Sequence, residues 1–168
     1  MEGIHIGTSA FTAAGWEQAL YPAGMKPGDY LTYCATKFNT VEVDSTFHRT
    51  PSVATLSGWE RKTPAEFLLA AKILQIITHE SVLQNRDEDL NHFLETMDLM
   101  EDKLGPLPLQ FGYFNRTVFR SSGDFQARLE PFLKKLPNGY KCAVEIRNKS
   151  WLSTSFFDLL RAHKVASR

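Results

Sequence analysis

Only two cysteines occur in the 168 residues, and no Cys-x-x-Cys pair exists. That number and spacing support neither a disulfide framework nor a thiolate metal site. Cys34 in a helical segment and Cys142 in a strand-like one read as reduced, buried thiols. An excess of charge of one sign is also missing. Lys and Arg number 19 against 19 Asp and Glu, so the chain lacks the basic surplus of a non-specific nucleic-acid binder, although a sum does not speak against a local patch. No apolar run approaches membrane-spanning length, and "MEGIHIGTSAF" has no basic segment leading into an apolar one, so no membrane partner and a cytoplasmic location are expected. No Gly-rich fingerprint follows the first strand-like run, which leaves a dinucleotide fold without support. No linker or low-complexity tract divides the chain. The expectation is one domain over residues 1–168, long enough for a real core.

Short strand-like runs alternate with helical ones. The strands are expected at residues 4–9 (IHIGTS), 40–46 (TVEVDST), 67–72 (FLLAAK), 107–112 (LPLQFG) and 141–147 (KCAVEIR), and the helices at 29–38, 52–61, 87–104, 123–136 and 153–163. In the third helix Leu90, Phe93, Leu94, Met97 and Met100 recur at helical spacing, with Asp87 placed to cap it and Gly105-Pro106 to stop it. Ser52 and Ser153 are placed to cap theirs. Five strands, each followed by a helix, indicate a parallel α/β sheet. The closing "HKVASR" reads as the start of a sixth strand that does not arrive.

Residues two apart on a strand share a face. Glu42 shares one with Asp44, and Glu145 with Arg147, opposite Cys142, Val144 and Ile146. Lys72 lies with Leu68 and Ala70, and Gln110 with Pro108 and Gly112. In all four strands one face stays apolar while the other turns polar at its last positions. A sheet covered by helices on both sides should be apolar on both. A barrel covered only outside, with its mouth at the strands' C-terminal ends, accommodates the polar residues. The expected fold is therefore α/β, a partial TIM-like (β/α) barrel of about five strands, since a closed one needs eight strands and about 250 residues.

Five motifs in series, "IGTS" with Trp16 downstream, "FNTVEVDSTFHRTPS", "AAKILQIITH", "LGPLPLQF" and "AVEIRNKSW", resemble the YecE-like proteins, a family called domain of unknown function 72 with a TIM-barrel-like fold. The resemblance runs from Ile4 to about Val165. It implies a barrel with a polar pocket at its mouth and no established reaction, and it looks like that of a C-terminally truncated member. The positions it carries over are Thr8, Ser9, Glu42, Ser45, Thr46, Lys72, Thr78, His79, Gln110, Glu145, Arg147 and Trp151. The chain departs from the family at Asp44, commonly Asn, at His48, commonly Tyr, and at Asn148, commonly His. The usual Gln-Leu-Pro after the fourth strand is here Gln110-Phe111-Gly112.

Glu42 and Glu145, on strands that would face each other across a lumen, are the acid/base candidates, with His79 as a pocket residue or proton carrier. The bland alternative is a structural network in which Lys72 and Arg147 neutralise the acids. A Schiff base at Lys72 needs a deprotonated amine, and the neighbouring carboxylates oppose one. Lys72 with Arg147 suits recognition of an anion. Thr8, Ser9, Ser45, Gln110 and Trp151 complete the substrate-binding set, against the alternative that the mouth aromatics, Trp151 and Trp16 above all, seal loop–helix packing. Neither His-x-His nor His-Glu-x-x-His occurs, so no metal is expected; a scattered Glu42–Glu145–His79 site is the remaining metal alternative. No cofactor is indicated. The expected partner is a small polar, anionic or sugar-like ligand, with weaker support for a nucleic-acid end in the same pocket; Arg116 and Arg120 hint at an anionic partner, against the default of a solvated loop. The functional readings are an enzyme on such a substrate, a non-catalytic binder, and a non-functional fragment whose open edges self-associate.

Overall fold

The computed structural model describes residues 3–168. Six parallel strands alternate with five helices. In chain order they are β1 (Gly7–Thr8), α1 (Tyr30–Cys34), β2 (Thr40–Val43), α2 (Val53–Lys62), β3 (Leu68–Ala71), α3 (Asp87–Met97), β4 (Leu107–Gln110), α4 (Ser122–Lys135), β5 (Cys142–Glu145), α5 (Thr154–Ala162) and β6 (Ala166–Ser167). The sixth strand does form, pairing Ala143 with Ala166 and Val144 with Ser167. The expected first strand of six residues shrinks to two. Upstream of it, Ile6 N donates to the Asn39 side chain, and Ile4 and Ile6 are exposed.

The strands form two three-stranded sheets, β1-β2-β3 and β4-β5-β6, and no closed barrel. Between the sheets runs a short seam in which β3 donates more bonds than it receives. Ala71 N donates to Pro106 O (3.1 Å) and Ile73 N to Pro108 O (2.9 Å), while Gly105 N donates to Leu69 O (2.9 Å). Proline has no N–H to return, so Pro106 and Pro108 interrupt the ladder just where β3 meets β4. At the opposite edge Gly7 is obligatory. A Cβ there would lie 2.0 Å from Thr40 O, so any side chain forces β1 off β2.

Burial follows the strand parity. Val41, Val43, Leu69, Ala71, Leu109 and Val144 are buried on the helix-covered face. Thr40, Leu68, Ala70, Ala143 and Glu145, on the other face, are only half-buried, whereas Glu42 and Pro108 on that face are buried as well. The core packs the first set against Leu56, Leu90, Phe93, Met97, Phe125, Leu129 and Phe156 from the helices. Each such side chain contributes about 1.5–3 kcal/mol by leaving water. Ser52 and Ser153 cap α2 and α5 as their spacing suggests, accepting from Thr55 N (3.2 Å) and Phe156 N (3.3 Å). Asp87 does not cap α3. Arg86 occupies that position without a side-chain capping bond, and Asp87 pairs instead with Lys135 on α4. The helix ends at Met97 and continues as a 3-10 stretch, Asp98–Lys103, broken by Glu101 at φ 48°. No helix among the described residues is long and apolar enough to cross a membrane.

Candidate functional site

At or just beyond the C-terminal ends of β2 to β6, side chains from five strands meet. Glu42 on β2 and Lys72, immediately after β3, lie 3.3 Å apart as an ion pair, and both are buried. Asp44 starts the 3-10 turn Asp44–Phe47 and accepts from Lys72 Nζ at 2.5 Å. The register explains the geometry: Val43 pairs with Ala71, so Asp44 stands level with Lys72 and Glu42 two residues below. Gln110 pairs with Glu145 in the β4–β5 ladder, and its Nε2 donates to Glu145 Oε1 (2.7 Å). Arg168, following β6, closes the cluster. Its Nη1 contacts Glu42 Oε2, and its Nε lies 3.5 Å from Glu145 Oε2. The two candidate carboxylates thus share one guanidinium.

Burial on its own lowers the Lys72 ammonium, but the Asp44 hydrogen bond and the charges of Glu42 and Asp44 outweigh it and raise the group above the usual lysine value. Lys72 is therefore charged at neutral pH, which argues against the Schiff base. Thr46 is buried between β2 and β3, its hydroxyl 2.8 Å from Val43 O and 2.9 Å from Lys72 O, and this fixes the backbone that carries the ammonium.

His79 lies in a π-helical turn, Ile76–Glu80, of the kind often found at functional sites. Its Nδ1 is 2.9 Å from Thr78 Oγ1, and Phe47 meets its ring edge-on at 5.1 Å. A Cβ on Gly112 would come within 3.3 Å of the imidazole, so the β4 end packs directly against it. Burial first and the Arg147 charge second hold His79 below the ordinary value of 6.5, with Glu80 pulling the other way. The native state therefore keeps His79 neutral, and the unfolded chain takes the proton first. This part of the stability is complete above pH 6.5 and is lost as the pH falls through the native value. In an NMR titration His79 should turn below 6.5, and Arg147→Ala should move the midpoint upward. An unmoved midpoint would mean that Arg147 does not act on this ring.

The remaining expected site residues are scattered more widely. Arg147 is exposed and, among the described residues, makes no ion pair; Arg168 takes the neutralising part expected of it. Ser9 is exposed, and continuing the Thr8–Val41 register sets it beside Glu42. Thr8 turns to the other face, donating to Ala10 O (2.5 Å) and lying 3.8 Å from Cys34 Sγ. Ser45 lines one cleft with Arg49, Pro51 and Trp59 and a second with Asp44, Phe11 and His48. Thr78 is buried against Leu74 O. Trp151 stacks on Phe125 and Phe114, with ring centroids 5.5 and 6.2 Å apart. Burial raises both thiols, Cys142 to about 11, which suits inert packing residues. Among the described residues no three His, Cys, Asp or Glu side chains are grouped to hold a metal ion.

One site residue went unnoticed in the sequence. Arg168 ends the alternating "VASR", a pattern whose only signal is a strand parity shared with Ala166. Asn148, singled out only as a departure from the family pattern, is buried, accepting from Phe114 N and donating to Phe114 O at 2.8 Å each, which pins the loop after β4 to the loop after β5.

The family model described as "Protein of unknown function DUF72" matches residues 5–167. The chain is similar to a protein of Bacillus subtilis (strain 168) named UPF0759 protein YunF, 26% identical over 161 residues, covering 92% of this chain and 54% of that one. It is also similar to the UPF0759 protein YecE of Escherichia coli (strain K12), 25% identical over 123 residues, covering 71% of this chain and 42% of that protein. The chain thus spans about half the length of the curated relatives it matches. Among solved structures, a DUF72 family protein from Thermotoga maritima superposes with a TM-score of 0.78 at 29% identity, over 97% of this chain and 63% of that one.

Proposed function

This chain belongs to the DUF72 family, and on that premise we propose that the cluster at the strand ends is a recognition site for a small polar ligand carrying an anionic group. The six consecutive parallel strands are taken as an arc of a (β/α) barrel wall whose mouth bears the site. The observation that carries the reading is the asymmetry of the cations. Lys72 and Arg168 are committed to carboxylates, whereas Arg147 is exposed, makes no ion pair among the described residues, and acts electrostatically on His79. A guanidinium without an internal partner beside a neutral imidazole can hold a phosphate or carboxylate while the imidazole accepts or returns a proton.

As an enzyme on such a substrate, the site would use His79 and Glu145 for proton transfer. Glu145 has one cation and a side chain 23% exposed, whereas Glu42 has two cations and is 10% exposed. Glu42 then serves as a fixed anion. The non-catalytic reading draws on the same ion pairs, because carboxylates already held by cations suit a rigid binding frame. Thr8 and Trp151, whose contacts lie elsewhere, are left to structural duties, and Ser45 lies at the margin beside Asp44.

Calorimetric titration with inorganic phosphate and glucose 6-phosphate tests it. Saturable binding is expected, weakened roughly tenfold or more by Arg147→Ala and unchanged by Lys149→Ala at the exposed neighbour. Equal affinity in both variants, or none in the parent, removes the proposal. Should a turnover be found, Glu145→Gln separates enzyme from binder by abolishing turnover while leaving binding in place.

A further inference from the structure

We propose that Arg168 is a positioning residue: its guanidinium seats between Glu42 and Glu145, joins the two sheets across their polar faces, and balances the charge around the site. The geometry stands without any ligand. Among the described residues, the Arg168–Glu42 contact is the one ion pair that links a side chain of the first sheet to the second. The peptide carrying Arg168 is fixed by its N–H to Val144 O at 3.0 Å. Glu42 is almost wholly enclosed and the arginine side chain 44% exposed, so the guanidinium covers the carboxylate from the solvent side.

Pairing across the sheets matters because the seam beneath is weak in one direction. Pro106 and Pro108 return no hydrogen bonds to β3, so backbone pairing does less than usual to fix the distance between Glu42 and Glu145. A planar fork that engages one carboxylate through Nη1 and approaches the other through Nε constrains both spacing and orientation, which a lysine would do less well.

The second consequence rests on the anion-recognition reading. Glu42, Asp44 and Glu145 are paired with Lys72 and Arg168, and Arg147, unpaired among the described residues, brings the cations to three. Without Arg168 the acids exceed the bases by one, and an anion approaching Arg147 meets an uncompensated carboxylate. Arg168 touches no ligand in this scheme; it acts through the field.

Three variants and two probes separate the parts. The first probe is methylguanidinium at millimolar concentration against equal potassium chloride. It should raise the melting temperature of Arg168→Ala saturably by filling the vacated seat, without moving the parent chain. Arg168→Lys should recover only part of the loss. The second probe is glucose 6-phosphate. Arg168→Ala should bind it roughly tenfold more weakly, the effect of one charge about 12 Å away at an effective dielectric near 20. Adding Glu145→Gln to that variant should restore binding, since it removes the surplus charge, whereas a structural lesion would be made worse. No saturable methylguanidinium effect, with Arg168→Lys no better than Ala, overturns the bridging role whatever the anion result. Rescue by methylguanidinium in a parent chain that binds no phosphate ester leaves the bridge standing and removes the anion-recognition reading instead.

Discussion

Lys72→Met should lower the unfolding free energy by about 3–5 kcal/mol, the usual cost of leaving a buried carboxylate without its cation. Lys72 is the partner of both Glu42 (3.3 Å) and Asp44 (2.5 Å), but the two losses are unequal. Asp44's side chain is half exposed and can be hydrated; Glu42's is enclosed and keeps only Arg168. The cost therefore resides in Glu42, and Lys72→Met with Glu42→Gln should regain about half of it. Urea unfolding at neutral pH measures both. The pH dependence fixes the cause. Because the folded ammonium titrates above the ordinary 10.5, its stabilisation is complete below that value and disappears as the pH rises through the folded value. The parent and Lys72→Met should converge in strong alkali. A neutral-pH loss under 1 kcal/mol, or a difference that persists in alkali, would show that Lys72 packs rather than pairs.

Phe125→Ala should cost about 3–5 kcal/mol, the range for deleting a fully enclosed aromatic. Phe125, on α4, is the hub of an aromatic cluster. Its ring lies 5.2 Å from Phe111, 5.4 Å from Phe119, 5.5 Å from Trp151 and 5.8 Å from Phe114. Those rings come from the end of β4, the loop after it and the loop after β5, so one cavity loosens three segments at once. Arg147 and Asn148 sit on the last of these, and Asn148 is tied to Phe114. The variant should therefore also lose near-ultraviolet Trp signal and bind glucose 6-phosphate more weakly than Arg147's unchanged side chain would imply. Domains of this kind are stable by only about 5–15 kcal/mol, so either substitution removes a large share. A cost below 1.5 kcal/mol would mean that the cluster repacks around the loss and does not fix the loops.

The alternation of β-like and helical runs was readable because the periods of 2 and 3.6 are local. All five helix starts fall within a residue of their expected positions, and Ser52 and Ser153 cap as their placement indicated. Asp87 failed as a cap because an aspartate at a helix start has other uses, here the ion pair with Lys135 from a helix 48 residues on. The length of the first strand failed because Asn39, from the next segment, takes its backbone donor. Parity grouped Glu42 with Asp44 and Gln110 with Pro108, but it did not foresee that Glu42 and Lys72 would be buried while Gln110 and Glu145 are only half-buried. It misled at Arg147, which shares a face with Glu145 yet pairs with neither acid, and it said nothing of how far apart the strands stand.

By itself the sequence determined the order of the elements, the parallel class and which side chains each strand turns away from its helices. These depend on residues two to four positions apart, where the covalent chain sets the geometry. Which cation meets which carboxylate was decided by the tertiary structure alone. Arg168 reaches Glu42 across 126 positions of chain, and it does so only because β6 pairs with β5 and the proline-broken seam sets the second sheet beside the first. Coulomb attraction acts over a few ångströms of space and is indifferent to separation along the chain.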